Sequence, residues 1–125
     1  MSRAGRSLLV FGCYVLAVGA FLLVAVTDII STRLRKTDAV AQWGGEEFLV
    51  LLPDADVDGS SQVAEGLRQA VESHRTRFRD QEIGVSITVG IVVGGSEDSL
   101  ADVIARADGA LYRGKEAGRN RVVAT

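Results

Sequence analysis

The chain has 125 residues and a mass of 13.3 kDa, enough for one domain with its own core and too few for two. With 14 Lys and Arg against 16 Asp and Glu and a pI near 5.4, it lacks the basic excess by which nucleic-acid-binding domains neutralise phosphates, so no nucleic-acid partner is expected. A single cysteine, Cys13, excludes an internal disulfide and, in its apolar surroundings, reads as a small buried side chain.

The composition is uneven at the start. From Ser7 to Thr27 no residue is charged, and the run is long enough to cross a bilayer. Arg3 and Arg6 precede it, and Arg33, Arg35 and Lys36 follow Asp28, so flanking charge leaves an orientation open. A second reading divides the same run into a buried strand, a turn near Gly12 or Gly19, and a helix from about Phe21. Periodicity alone does not choose between them. The density of apolar residues from Leu8 to Val26 exceeds what a helix with one solvated face needs, which favours membrane association through residues 7–27.

Further along, elements alternate. A helix is expected over residues 21–35, ending in the basic turn Arg33 to Lys36. Ala39 to Trp43 and Phe48 to Leu52 are short apolar runs about a Gly-Gly turn and read as a β-hairpin. Pro53 ends the second strand, and Asp54 to Ser61 offers caps for a helix whose apolar face carries Val63, Ala64, Leu67, Ala70, Val71, His74 and Phe78. His74 is the sole histidine, so a packing or surface role is expected rather than metal ligation. Val85, Ile87, Val89, Ile91 and Val93 alternate with smaller residues, the period of a half-buried strand. Ser99 and Asp102 signal the start of a helix through Leu111, Gly118 its end, and Arg121 to Ala124 a last strand. The order helix, strand, strand, helix, strand, helix, strand implies an α+β sandwich, one sheet with helices on a face.

Gly44-Gly45-Glu46-Glu47 puts two adjacent carboxylates on a turn whose glycines let phosphates approach the backbone. Such a group suits Mg²⁺, which takes few protein oxygens together with substrate phosphates. A plain glycine turn with solvated acids has the same spacing.

Three collinear motifs resolve that ambiguity. Arg35-Lys36-Thr37-Asp38, Gln42-Trp43-Gly44-Gly45-Glu46-Glu47-Phe48, and Ala107 to Tyr112 with Lys115 and Gly118-Arg119-Asn120 resemble the GGDEF-domain diguanylate cyclases, over roughly Leu22 to Val123. The resemblance implies a fold like nucleotide cyclases and polymerase palms, with a central antiparallel sheet and helices. It implies condensation of two GTP to cyclic di-GMP, each 3′-hydroxyl attacking the α-phosphate of the other GTP and releasing pyrophosphate, between two such domains facing one another as a homodimer. By resemblance Glu46 binds Mg²⁺ or Mn²⁺, Glu47 assists the metal and hydroxyl chemistry, Gly44 and Gly45 admit the nucleotide, and Lys115 and Arg119 grip the triphosphate. Arg35 and Asp38 match the family's R-x-x-D inhibitory site for cyclic di-GMP. The implied location is cytoplasmic, tethered to the bacterial inner membrane if residues 7–27 enter the bilayer.

The departure from the family lies upstream. Members carry a strand with a metal-binding Asp, then Phe-Lys and Asn-Asp, then Gly-His-x-x-Gly-Asp. The family's usual gap sets Gly19-Ala20 against the Gly-Asp, Leu16 against the His and Phe11 near the guanine-contacting Asn, and only Gly19 agrees. No aspartate precedes Asp28, and Gln42 replaces the commoner Arg. Residues 1–20 are therefore read as an atypical apolar segment and 21–125 as a partial GGDEF domain. The expected consequence is an impaired cyclase, or alternatively an inactive module that binds cyclic di-GMP or GTP; a third reading is a membrane-tethered or truncated remnant in which the first strand is missing and a central sheet position is left empty.

Overall fold

A computed structural model describes residues 6–13, 19–43, 47–53, 55–95 and 97–125. The element order is β1 (Arg6–Cys13), α1 (Gly19–Arg33), β2 (Ala39–Trp43), β3 (Glu47–Leu52), α2 (Val57–Ser73), β4 (Arg75–Phe78), β5 (Gln81–Gly84), β6 (Ile87–Gly94), α3 (Leu100–Glu116) and β7 (Val122–Ala124). Five strands form one sheet in the order β2-β3-β1-β6-β7, antiparallel except for the β6–β7 pair, and β4–β5 is a separate hairpin. This is the α+β, palm-like architecture the sequence implied.

The first strand is present, which corrects the expectation of an empty central position. Arg6–Cys13 lies between β3 and β6, Phe11 standing opposite Phe48 on one side and Val89 on the other. A central strand covered on both faces asks for a short continuous apolar run, and the segment after Arg6 supplies one. The membrane-spanning reading of residues 7–27 is corrected by the same finding, because the run is divided between β1 and α1. No helix among the described residues is long and apolar enough to cross a membrane.

The helices occupy both faces rather than one. Val26 and Ile30 of α1 and Ala64, Leu67 and Val71 of α2 pack on Phe48, Val50, Leu52, Ile87, Val89 and Ile91. On the opposite face Ala107 and Leu111 of α3 meet Val92, with Leu49, Val103 and Ile104 around them. Strand β6 is thus buried on both sides, not half-buried, and its alternation of large and small residues has another origin. A Cβ at Gly90 would lie 2.5 Å from the Ala107 carbonyl oxygen and from the Leu111 nitrogen, so the small residue is what lets the α3 backbone settle onto the strand.

Local chemistry sets the helix ends. The Asp56 carboxylate accepts from the Gly59 N–H at 2.7 Å to start α2, and the Ser99 hydroxyl accepts from the Asp102 N–H at 3.1 Å to start α3. The apolar stripe of α2 stops at Val71. His74 has already left the helix with extended backbone, and Phe78 belongs to β4, so both depart from the expected helical face. The β4–β5 hairpin was not expected, since its turn is Arg79-Asp80, both with positive φ, in place of the glycine that usually marks such a turn.

Candidate functional site

Strand pairing assembles one end of the sheet from distant parts of the sequence. Glu47 opens β3 and stands opposite Gly12, near the end of β1; Gly12 also stands opposite Thr88 at the start of β6. The Thr88 hydroxyl accepts from the Asn120 N–H at 3.1 Å, which brings in the segment between α3 and β7. Glu47, Gly12, Thr88 and Asn120 therefore form one row, with two strand spacings, about 10 Å, between Glu47 and Thr88.

The C-terminal end of α3 is pressed onto this row. A Cβ at Gly114 would come 2.6 Å from the Thr88 methyl and 3.3 Å from a Val123 methyl. The helix then closes with the Gly118 N–H on the Lys115 carbonyl at 3.3 Å and the Arg119 N–H on the Gly114 carbonyl at 3.0 Å, Gly118 sitting at φ +120. This termination places Lys115 in the last turn and Arg119 just beyond it, cations at the negative end of the helix dipole. Leu49 packs against the α3 core, and Glu47, two residues earlier on the same strand, shares its face of the sheet. Glu47 and the helix end that carries the two expected phosphate-gripping cations are thus brought to one end and one face.

Gly44, Gly45 and Glu46 lie outside the described residues, as does Leu16. Of the turn, Glu47 is described and is half-buried. Its cross-strand neighbour on β1 is Gly12, and no carboxylate occurs anywhere in Arg6–Cys13. Among the described residues, no group of three or more His, Cys, Asp or Glu is arranged to hold a metal ion. The described donor set does not fit a two-metal centre.

Arg35 and Asp38 sit elsewhere. They bracket a tight turn between α1 and β2 in which the Asp38 carboxylate accepts from the Arg35 N–H at 2.8 Å and the Asp38 N–H donates to the Arg35 carbonyl at 3.0 Å. Strand β2 then runs from Ala39 to Trp43, which pairs with Glu47, so this turn lies about 13 Å along the strand from the Glu47 end. The Arg35–Asp38 turn and Glu47 are at opposite ends of one hairpin.

Sequence reasoning missed the polar network beside Asn120. Arg68 of α2 donates to both Glu65 oxygens from Nε, at 3.0 and 2.9 Å, and to Asn120 Oδ1 from Nη1 at 2.9 Å. The Asn120 amide in turn donates to Glu72. The Glu65 carboxylate bonded to Arg68, with Glu72 beside it, strengthens the guanidinium's hold on its proton, and Arg68 in turn holds the Glu65 carboxyl below the usual carboxylate range. The Glu65, Arg68, Glu72 spacing marks neighbours on one helix face, yet it does not reveal the bond to residue 120.

Comparison with known proteins bears on the family and the fold. The family model "Diguanylate cyclase, GGDEF domain" matches residues 16–121. Diguanylate cyclase A of Treponema denticola is 36% identical over 107 residues, covering 85% of this chain and 29% of that protein. Diguanylate cyclase DgcM of Escherichia coli is 36% identical over 110 residues, 85% of this chain and 25% of that protein. The chain spans under a third of the length of these relatives. Among solved structures, the GGDEF domain of DgcB from Caulobacter crescentus, in complex with c-di-GMP, superposes with a TM-score of 0.88 at 25% identity, covering 95% of this chain and 77% of that one. The GGDEF domain of PA1120 from Pseudomonas aeruginosa gives a TM-score of 0.88 at 27% identity, covering 98% and 77%.

Proposed function

The chain belongs to the diguanylate cyclase GGDEF-domain family, and from that premise we propose that it binds GTP at the Glu47 end of its sheet with turnover to cyclic di-GMP largely lost. The observation that carries this reading is the row Glu47, Gly12, Thr88, Asn120. It supports a nucleotide site because it joins Glu47 to the cation-bearing end of α3. It argues against efficient chemistry because the strand between them contributes a glycine where a second carboxylate would be needed to gather metal ions.

In this reading Lys115 and Arg119 take the triphosphate, Arg119 by its planar fork and Lys115 as a compact charge. Gly44 and Gly45 admit the phosphates to the backbone, and Glu46 and Glu47 are the carboxylates left for Mg²⁺ or Mn²⁺. A second copy of the domain would be the partner in any residual condensation, since each GTP must receive the 3′-hydroxyl of the other. The test is incubation of the chain with GTP and Mg²⁺ or Mn²⁺, with nucleotides separated by anion-exchange chromatography alongside a GTP-binding titration. Binding with little or no cyclic di-GMP is expected. Robust turnover that Glu47→Ala abolishes would overturn the impaired reading and restore the active enzyme.

A second reading, a cyclic di-GMP binding module acting through Arg35 and Asp38, is favoured by the turn that joins those two residues by paired hydrogen bonds. That turn is far from the altered β1 end, so loss of chemistry at one end leaves recognition at the other intact.

A further inference from the structure

The segment that carries Arg119 is held more firmly than a five-residue connection requires. Arg119 and Asn120 both have left-handed backbone, φ 62 and 48, although neither is glycine. Such a conformation persists where the surroundings over-determine it. Here the Arg119 N–H is fixed on the Gly114 carbonyl, the Arg119 carbonyl accepts from Arg121 Nε at 3.0 Å, and the Asn120 N–H is fixed on Thr88. The remaining anchor comes from α2, on the other face of the sheet. Arg68 and Glu72 reach past the β7 edge and take the two ends of the Asn120 amide.

The chemistry of that contact admits one orientation. Arginine has no acceptor and a carboxylate has no donor, so Asn120 must turn Oδ1 to Arg68 and Nδ2 to Glu72. The Arg68 side chain is only 15% exposed and is itself aligned by its fork on Glu65. Rotation of the Asn120 amide, and with it the backbone that presents Arg119, is therefore locked by a side chain that stands on a different helix and follows Glu65 and precedes Glu72 at helical spacing.

We infer that Arg68 is a positioning residue for phosphate binding, acting through Asn120 to hold Arg119 at the Glu47 end of the sheet. This rests on the reading of Arg119 as a phosphate ligand. Locking of a binding residue by hydrogen-bonded neighbours improves affinity without direct contact, since less freedom is lost on binding. The role is specific to the phosphate end of a nucleotide, so GTP and inorganic tripolyphosphate should suffer alike when it is lost.

The experiment is a double-mutant cycle by calorimetric titration of GTP and of tripolyphosphate, with melting temperatures measured in parallel. Arg119→Ala sets the full loss. Arg68→Ala and Asn120→Gly are each expected to weaken both ligands about tenfold, no more than Arg119→Ala does, and the double variant to be no weaker than either single one. Asn120→Gly keeps the left-handed backbone free of steric cost, so it reports on positioning even if Arg68→Ala folds poorly. Arg68→Lys, a single point charge unable to span Glu65 and Asn120, should recover little of the loss. Unchanged affinity in Arg68→Ala, or losses that add in the double variant, would overturn the inference while leaving the GTP site standing. Failure of the parent chain to bind either ligand, seen before any substitution, would instead remove the GTP-binding reading, and this inference with it.

Discussion

Gly12 is the position at which sheet register and chemistry disagree, and Gly12→Asp tests both. Directly paired residues on antiparallel strands project to the same face with Cβ atoms about 4.5 to 5.5 Å apart. A carboxylate at position 12 would therefore face Glu47. At about 5 Å and an effective dielectric of about 20, two such charges repel by roughly 3 kcal/mol. Glu47 is only half-buried, so screening by water and salt reduces the net cost to about 1 to 2 kcal/mol. The neutral Gly12→Asn, equal in shape, removes the steric and backbone contributions from the comparison.

The assay is denaturant or thermal unfolding of Gly12→Asp against Gly12→Asn at pH 8 and low salt, first with a chelator and then with Mg²⁺ or Mn²⁺ added. Without metal the aspartate variant should be the less stable by that amount. With metal at about ten times its dissociation constant it should regain about 1.4 kcal/mol, while Gly12→Asn and the parent respond far less. Equal stability of the two variants in chelator, together with no difference in their response to metal, would refute the placement of Gly12 beside Glu47 and the proposal that a carboxylate at position 12 completes a metal site.

Gly90→Ala should destabilise the fold by about 3 kcal/mol, because the new methyl meets the α3 backbone at 2.5 Å rather than a side chain that could move, and a fall in the unfolding midpoint checks it. The Glu65 carboxyl, held low by Arg68, adds stability that is fully present above the ordinary carboxylate range and is lost as pH falls through its lowered value. Stability of the parent should thus decline on the acid side of the usual glutamate range, and Glu65→Gln should decline less steeply when denaturant midpoints are followed against pH. Arg35→Ala should weaken cyclic di-GMP binding roughly ten- to a hundredfold, the loss of a charge-assisted pair, while Glu46→Ala leaves it nearly unchanged in calorimetric titration.

The residues that were legible in the sequence are those whose signal is local. Asp56 and Ser99 cap their helices as side-chain chemistry dictates, Gly118 ends α3, and the hairpin from Ala39 to Leu52 follows from two apolar runs about two glycines. What escaped were features fixed by partners far away in the chain. Val85 to Val93 alternates as a strand with one wet face would, yet β6 is covered on both sides because Gly90 and Gly114 admit a helix at close range. Ser7 to Thr27 has the length and polarity of a bilayer span, and only pairing with β3 and β6 identifies its first part as a central strand. Arg68 has the spacing of a surface ion pair, and its bond to Asn120, 52 residues away, has no sequence signature.

The first strand separates what the fold requires from what the chemistry requires. A central strand needs backbone donors and acceptors on both edges and apolar side chains on both faces, and many sequences meet that demand. The proposed metal site asks for something narrower: a second carboxylate near the end of that strand, opposite Glu47. Arg6–Cys13 meets the first demand through its full register with β3 and β6, and its Gly12 leaves the second unmet. Similarity in overall architecture, at a TM-score of 0.88 to the cyclic di-GMP-bound relative, therefore tracks the demand of the sheet and is insensitive to the demand of the metal. The Arg35–Asp38 turn and the Arg68–Asn120 lock are likewise hydrogen-bonded without any partner on β1. In the proposed reading, binding and turnover therefore draw on separate parts of the sequence, and a carboxylate at position 12 is expected to act on metal-dependent turnover without touching Lys115 or Arg119.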